Sequence, residues 1–174
     1  MKTQFLKSLT ILSLISLICS CAPSDSIKRL FLVDISKSNL VKMDDILNKV
    51  NTIYFESNPN DQFRIVFFSS RKYLVYDGGR FSKDREFLPL LRKGRIEAEK
   101  IQVAEGTSFE ILRSEVESSR DSQIYVFTDG FFEKSKLSQI KLNNSNIEFF
   151  GVSIENNEKL LELFEDNSKV KFNF

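Results

Sequence analysis

The chain has 174 residues, of which 41% are hydrophobic and 28% charged, and these values are typical of one folded soluble domain. It contains no histidine, which excludes His-dependent catalytic triads and the usual zinc sites. Its formal net charge of +1 provides no large electrostatic footprint for nucleic acid.

The first segment has the pattern of a targeting signal rather than of folded structure. Two lysines precede an apolar stretch from Leu9 to Ile18, which is too short to span a membrane. The pair Ser20-Cys21 then resembles the end of a bacterial lipoprotein signal, where a small residue precedes the cysteine that is lipidated. Cys19 fits this pattern less well because Ile18 would precede it. An ordinary secretory signal is the alternative.

This interpretation divides the chain into a signal peptide over 1–20, a lipidated Cys21 with a short tether over 21–28, and a folded domain over 29–174. The mature chain then has no second cysteine and forms no internal disulfide. Its net charge changes from +1 to −1, because Lys2 and Lys7 are lost. A lipid anchor implies a cell-envelope location. Ala22 is not the aspartate that retains some lipoproteins at the inner membrane, which favours the outer membrane or the cell surface.

The folded domain begins with a buried strand and an amphipathic helix. Leu30 to Val33 is a short apolar run, as expected of a strand that is covered on both faces. From Asn39 the apolar residues recur every three or four positions, which predicts a helix capped by Ser38 or Asn39. The turn residues Asn58-Pro59-Asn60 end this helix.

Two strands follow, over 62–69 and 72–76. Their connection is too short for a parallel crossover, so we predict an antiparallel hairpin. A short helix is expected over 86–92, limited by Pro89 and ended by Gly94. The span 80–104 is locally basic, and a solvated face is favoured over a binding patch.

The remaining sequence alternates helical and strand patterns. A helix is expected from Thr107 to about Ser118, and a short helix or loop over 131–140. The other expected elements are strands over 123–128, 147–152 and 170–172, and a helix over 156–165. This alternation predicts an α/β fold, with a doubly wound, mostly parallel central sheet, one antiparallel edge strand, and helices on both faces.

Oxygen-bearing side chains stand where these strands end. Asp34, Ser36 and Ser38 follow the first strand, Thr107 begins a helix, and Asp129 follows a central strand within Thr-Asp-Gly. The carboxyl ends of central strands meet at one edge of such a sheet, which brings these residues to one place. In order and setting they resemble the metal-ion-dependent adhesion site of the von Willebrand factor type A domain. Family members often have glycine where this chain has Lys37, and they match the span 80–104 poorly.

That resemblance implies a divalent metal, Mg²⁺ or else Mn²⁺ or Ca²⁺, held by Asp34, Ser36, Ser38, Thr107 and Asp129. Serine and threonine hydroxyls are neutral ligands and cannot cancel the charge of such an ion, and carboxylates that act through water cancel it only partly. The ion would therefore stay electrophilic. The expected partner is a protein that presents an acidic residue to the metal. The resemblance thus implies a membrane-anchored binding module that is not an enzyme.

Each of these residues also has a simpler structural interpretation. Asp34, Ser36 and Ser38 can form a turn that caps the next helix. Thr107 with Glu110 matches a capping box, and Thr-Asp-Gly is a common turn.

Two other functions stay open on the sequence. Asp34 after a buried strand resembles the aspartate nucleophile of the haloacid-dehalogenase phosphatases, which would make the protein a metal-dependent phosphohydrolase. That chemistry needs a second aspartate two residues later, where this chain has Ser36. The third possibility is a structural lipoprotein with a vestigial metal site.

Overall fold

The computed structural model describes residues 26–81, 84–101, 107–130, 132 and 139–173. The predicted signal peptide and the predicted lipidation site, Cys21, lie outside the described residues, as does most of the segment 131–140. These predictions therefore stay predictions. Within the described ranges, no helix has both the length and the hydropathy needed to cross a membrane.

A six-stranded sheet forms the centre of the fold, in the order β3-β2-β1-β4-β5-β6. All neighbouring strands run parallel except β2 and β3, which pair antiparallel, so β3 is the antiparallel edge strand that the sequence predicted. The strands are β1 (Lys28–Asp34), β2 (Gln62–Phe68), β3 (Lys72–Gly78), β4 (Ser122–Phe127), β5 (Asn146–Phe150) and β6 (Val170–Asn173). Most of these boundaries lie within a residue or two of the predicted ones.

Helices cover both faces of this sheet. The helices are α1 (Lys37–Leu40), α2 (Met43–Glu56), α3 (Phe87–Ile101), α4 (Phe109–Ser118) and α5 (Ile154–Leu161), and short 3₁₀ turns span Asp84–Glu86 and Asn167–Lys169. Together with the strand directions, these elements confirm the predicted doubly wound α/β architecture. Helix α5 begins and ends a few residues before the predicted range 156–165.

Strand alternation divides the core into two layers. Leu30 and Leu32 of β1 pack with α4 and α5, whereas Phe31 and Val33 point to the opposite face and pack with α2 and α3. All four side chains are buried, as the continuous apolar run predicted. Strand β1 is therefore covered on both sides, and its carboxyl end is held at a fixed position in the middle of the sheet.

The helical stripe predicted after β1 is present, but it is divided. A single turn, α1, precedes α2, and the connection contains Val41 and Lys42. Helix α2 buries Met43, Leu47 and Val50 against the sheet. Neither Ser38 nor Asn39 caps a helix as predicted, because α1 already begins at Lys37.

The prediction of a short helix over 86–92 is wrong, because α3 continues to Ile101. Pro89 is the third residue of α3, and the first turn of a helix tolerates proline since its N–H groups have no intrahelical acceptor. Gly94 does not end the helix either. A Cβ atom at Gly94 would lie 2.7 Å from Val75 Cγ1, so glycine allows α3 to approach β3 closely.

The basic residues of α3 are partly matched by acids on the same helix. Arg95 donates to Glu99 at 2.6 Å and Lys100 to Glu97 at 2.9 Å. Such i,i+4 and i,i+3 pairs are typical of a solvated helix surface. They favour the solvated-face interpretation of the basic span over a binding patch.

Candidate metal centre

Asp34 lies at the centre of the candidate site. It is the last residue of β1 and is fully buried. Its Oδ1 accepts a hydrogen bond from the Ser36 backbone N–H at 2.8 Å. Its Oδ2 accepts two more, from the Thr107 and Thr128 hydroxyls, both at 2.8 Å. One carboxylate therefore connects the loop after β1, the start of α4 and the end of β4.

Thr107 is brought to Asp34 from 73 positions further along the chain. Its backbone forms an isolated parallel bridge with Phe132. The next residue, Ser108, donates its backbone N–H to the Ser69 carbonyl at the end of β2. The Thr107 hydroxyl donates to Asp34, which leaves its oxygen lone pairs available to a cation.

Thr107 is not the N-cap residue of α4, as the predicted capping box required. Helix α4 begins at Phe109 with Ser108 as its N-cap, and the Ser108 side chain makes no capping hydrogen bond. The Thr107 side chain is directed instead to Asp34. The interpretation of this threonine as a simple helix cap is therefore wrong.

The two predicted serines lie side by side. Ser36 Oγ and Ser38 Oγ are 3.2 Å apart, and the Asn39 amide donates to Ser36 Oγ at 3.4 Å. Ser36 is the N-cap residue of α1, but its side chain makes no capping hydrogen bond. Ser36 is buried and Ser38 is exposed, so this pair of hydroxyls runs from the buried carboxylate to solvent.

Asp129 follows Thr128 directly at the end of β4 and is half-buried. Its backbone carbonyl accepts a hydrogen bond from the Asn156 amide of α5 at 3.3 Å. Gly130 has φ = +83°, a left-handed conformation that favours glycine, and its N–H donates to Thr128 Oγ1 at 3.2 Å. The Thr-Asp-Gly segment thus forms a fixed turn at the edge that carries Asp34.

The sequence did not identify Thr128 as a site residue. The Thr-Asp-Gly pattern indicates only a turn at this position, yet Thr128 is buried and contacts Asp34 as closely as Thr107 does. The sequence signal that could have identified Thr128 is its position, because it is the first polar residue after the buried strand β4. Residues at that point face the same edge as Asp34 because β1 and β4 are parallel neighbours.

Burial and hydrogen bonding act in opposite directions on Asp34. Burial raises the pKa of its carboxyl group above the usual value, and this effect outweighs the hydrogen bonds from Ser36, Thr107 and Thr128, which lower it. Within the described ranges no lysine or arginine pairs with Asp34. Among the residues that the structure describes, the carboxylate therefore has no cationic partner that would balance its charge.

The residues that meet here suit a hard divalent cation. Carboxylate and hydroxyl oxygens are the ligands that Mg²⁺ and Ca²⁺ bind in proteins. Nitrogen and sulfur ligands do not contribute, and no group of three or more His, Cys, Asp or Glu side chains is placed to bind a metal among the residues that the structure describes. A metal at this site would depend on hydroxyl oxygens, as the donor set of Ser36, Ser38 and Thr107 permits.

Comparisons by sequence identify no relative: no family model matches the chain, and no curated protein does. Solved structures do match. VWA2, an ArnB paralog from Sulfolobus acidocaldarius, aligns with 87% of this chain at a TM-score of 0.57 and 15% identity, although the chain covers only 42% of that protein. A serine-substituted variant of an aerotolerance-related membrane protein from Bacteroides fragilis aligns with 86% of this chain at a TM-score of 0.55 and 12% identity. Here the chain covers 92% of the matched protein.

A third match is proximal thread matrix protein 1 from the mussel byssus, in a structure described as having a zinc-occupied MIDAS motif. It aligns with 86% of this chain at a TM-score of 0.53 and 14% identity, and the chain covers 41% of it. At these identities the matches establish the fold alone. The chain therefore adopts the von Willebrand factor type A fold.

Proposed function

We propose that this protein is a binding module of the von Willebrand factor A type, which holds a divalent metal at the carboxyl edge of its sheet. The proposed ligands are Asp34, Ser36, Ser38, Thr107 and Asp129. Through this metal the module engages a protein partner that presents an acidic residue. Mg²⁺ is the expected ion, with Mn²⁺ and Ca²⁺ as alternatives.

The observation that carries this proposal is the environment of Asp34. A buried carboxylate is normally paired with a cation, because burial without one is unfavourable. Asp34 has only hydroxyl and backbone N–H partners among the described residues. Two of the nearby hydroxyls, those of Ser36 and Ser38, are additional oxygen ligands at 3.2 Å from each other. A divalent cation beside these oxygens would balance the buried charge.

The protein's own residues have distinct roles in this proposal. Asp34 supplies negative charge and orients Thr107 through the hydrogen bond at 2.8 Å. Ser36 and Ser38 supply neutral oxygens from one loop, and Asp129 supplies the second carboxylate. Thr128 positions Asp34 without being a proposed ligand. A bound metal would supply an electrophilic centre for a partner's carboxylate, since hydroxyl ligands add no negative charge and carboxylates that act through water cancel the charge of the ion only partly.

The mussel protein supports this proposal because its MIDAS motif is described as zinc-occupied on the same fold. The identity of 14% does not transfer its metal, so the choice of ion rests on the oxygen ligands of this chain.

We further propose that a lipid on Cys21 anchors the domain at the cell envelope, in the outer membrane or at the cell surface. The membrane protein from Bacteroides fragilis supports an envelope location for this fold. The tether enters the domain at Lys28, the first residue of β1, whereas Asp34 is the last. Lys28 and the proposed metal site thus lie at opposite ends of a strand about 20 Å long.

A binding role is favoured over catalysis. The phosphohydrolase alternative needs an acid–base group two residues after Asp34, and Ser36 stands there. The described site places hydroxyl groups, and no second carboxylic acid, in hydrogen-bonding contact with Asp34.

The test is a calorimetric titration of residues 22–174, which contain every described helix and strand, with Mg²⁺ and Mn²⁺. We expect saturable binding to the native protein and none to Asp34→Ala. Asp44→Ala is the matched control, because Asp44 is exposed on α2, and it should bind as the native protein does. Equal affinity of the native protein and Asp34→Ala would overturn the proposal.

If the native protein binds the metal, a metal-dependent pull-down from envelope extracts, reversed by a chelator, would identify the partner.

A further inference from the structure

The chain enters the domain at the edge of the sheet where the parallel strands begin, which we call the amino edge. Here Ser26 Oγ donates to the Asn60 carbonyl at 2.8 Å, and the Ile27 backbone N–H donates to Asp61 Oδ1 at 2.9 Å. The Ile27 carbonyl accepts from the Gln62 N–H at 3.0 Å. These contacts hold the incoming chain against the loop before β2, so its path is fixed from Ser26 onward.

Asp61 is the centre of this attachment. It is 0% exposed, and its Oδ2 accepts from Arg29 Nε at 2.6 Å and from the Asn58 backbone N–H at 3.2 Å. Its carboxylate therefore ties together the incoming chain, β1 and the loop before β2. Charge-assisted hydrogen bonds of this kind are strong, which makes the attachment point rigid. Residues 21–25 are the part of the sequence between this point and the proposed lipid on Cys21.

The length of that part limits how the domain can stand on a membrane. Five residue steps, from Cys21 to Ser26, reach at most about 17 Å. Strand β1 alone extends about 20 Å from Lys28, at the amino edge, to Asp34, at the carboxyl edge. The connection is too short to run back along the whole strand. A domain anchored through Cys21 therefore cannot stand on its carboxyl edge.

Apolar side chains are exposed beside the attachment point. Ile27 is 43% exposed, and Phe55, in the last turn of α2, is 42% exposed. The loop 57–61 follows Phe55 directly and holds the Ile27 backbone through Asp61. Single exposed apolar side chains are common on soluble proteins. These ones stand at the edge that the short connection keeps close to the bilayer, where apolar side chains can enter the boundary between headgroups and acyl chains.

Cations accompany these apolar side chains. The Arg80 guanidinium lies 5.9 Å from the centre of the Phe55 ring and donates to the Ser57 carbonyl at 3.3 Å. Lys28 and Arg120 are exposed and line a cavity of about 390 Å³ at the same edge. Lysine and arginine combine an apolar stem with a charged head, so they can reach the phosphate groups of lipids from such a surface.

Acids keep this edge from being strongly basic. Glu56 and Asp121 are exposed next to Phe55 and Arg120 in the sequence. Asp77, which also lines the cavity, pairs with Arg64. The amino edge thus presents charges of both signs. Such a surface fits zwitterionic headgroups, which carry an ammonium and a phosphate, better than a strongly anionic membrane.

We propose that the amino edge rests on the bilayer surface, with Ile27 and Phe55 among zwitterionic phospholipid headgroups. This inference rests on the proposed anchor at Cys21 and adds a contact of the folded domain itself. The contact can be weak, because an anchor keeps the domain at a high effective concentration beside the surface. The proposed metal site, at the other end of β1, then faces a partner that approaches from the aqueous phase.

The sequence allows the anchor and a reporter to be placed independently. It contains no tryptophan, and Cys21 is the only cysteine of residues 21–174. Cys21 is coupled to a maleimide lipid in vesicles of phosphatidylethanolamine and phosphatidylcholine that also contain a lipid with a nitroxide headgroup. Phe55→Trp reports on the amino edge. Val41→Trp is the matched control, because Val41 is 92% exposed and follows the loop after β1 at the carboxyl edge.

The coupled lipid supplies the anchor, so the outcome does not depend on lipidation in the cell or on metal binding. Mass spectrometry of the protein extracted from its membrane tests the lipidation at Cys21 separately, and the calorimetric titration tests the metal site. A failure of the surface contact is thereby distinguished from a failure of the proposed function.

We expect the nitroxide to quench the tryptophan of Phe55→Trp strongly and that of Val41→Trp weakly. Adding Ile27→Ser to Phe55→Trp should reduce the quenching at least about twofold, because the contact loses an apolar side chain. Ile154→Ser is its matched control, since Ile154 is 75% exposed at the start of α5, and should leave the quenching unchanged.

Equal quenching of the two tryptophans, or stronger quenching of Val41→Trp, would overturn the proposal. Quenching of Phe55→Trp that Ile27→Ser does not reduce would also overturn it, because the short connection alone would then account for the proximity. Matching circular dichroism spectra show that the variants are folded.

Discussion

The described domain buries three carboxylates, and their partners differ. Asp61 is 0% exposed and accepts from Arg29 Nε at 2.6 Å, at the edge of the sheet where β1 begins. Glu115 of α4 accepts from Lys72 Nζ at 2.7 Å and also pairs with Arg64. Asp34, at the edge where β1 ends, has hydroxyl partners and no cation among the described residues.

The contrast shows what each carboxylate does for the protein. Asp61 and Glu115 form ion pairs that the chain completes by itself, so they contribute to the fold in any buffer. Asp34 is equally buried but has no cationic partner among the described residues, and we propose that its cation is supplied from solution. Substituting each carboxylate in turn, and measuring stability with and without metal, distinguishes a structural acid from a proposed metal ligand.

The largest loss of stability is expected for Asp61→Ala. The substitution leaves the Arg29 guanidinium, whose side chain is 15% exposed, without its acid, and removes the acceptor for the Ile27 backbone N–H. Removing one partner of a buried pair typically costs about 3–5 kcal/mol. Chemical denaturation of residues 22–174 measures this loss, which should be the same with Mg²⁺ and with a chelator. Asp44→Ala is the exposed control, and a loss no larger than the control's would contradict the structural role of Asp61.

Glu115→Gln should cost less. Its partners Arg64 and Lys72 are 38% and 54% exposed, so water can solvate them once the charge is gone. We expect a loss of about 1–2 kcal/mol in the free energy of unfolding, independent of metal. Glu117→Gln on the same helix is the matched control, because Glu117 pairs with Arg113 at the surface. A loss that depends on Mg²⁺ would show that Glu115, too, responds to the metal.

Thr107→Val and Thr128→Val distinguish a metal ligand from a residue that only positions Asp34. Both remove one hydrogen bond of 2.8 Å to Asp34 Oδ2, which should cost about 1 kcal/mol of stability without metal. Thr128→Val also removes the acceptor of the Gly130 N–H and should cost somewhat more. Only Thr107 is a proposed ligand. Calorimetry should therefore show a loss of metal affinity of at least about tenfold for Thr107→Val. The loss for Thr128→Val should be clearly smaller, and equal losses would remove Thr107 from the ligand set.

The sequence predicted the sheet because its strands are marked by local pattern. The run Leu30 to Val33 is apolar throughout, and it lies at the centre of the sheet with both faces covered. The short link between β2 and β3 correctly predicted their antiparallel pairing. The sequence also predicted that Thr107 lies close to the end of β1, because strand ends converge at one edge in this fold. Thr107 does contact Asp34.

Other features depend on tertiary contacts that no local pattern shows. Gly94 lies inside α3 and does not end it. It is a glycine because close packing on Val75 requires a residue without Cβ. The role of Thr128 depends on which oxygen of Asp34 its hydroxyl reaches.

The central claim is that a divalent metal balances the buried charge of Asp34. The most direct measurement is the free energy of unfolding of the native protein and of Asp34→Asn, each with Mg²⁺ and with a chelator. At a metal concentration of 100 times Kd, the native protein should gain about 2.7 kcal/mol. Asp34→Asn keeps the shape of the side chain without its charge, and it should gain nothing. An equal gain in both proteins, or no gain in the native protein, would contradict the claim.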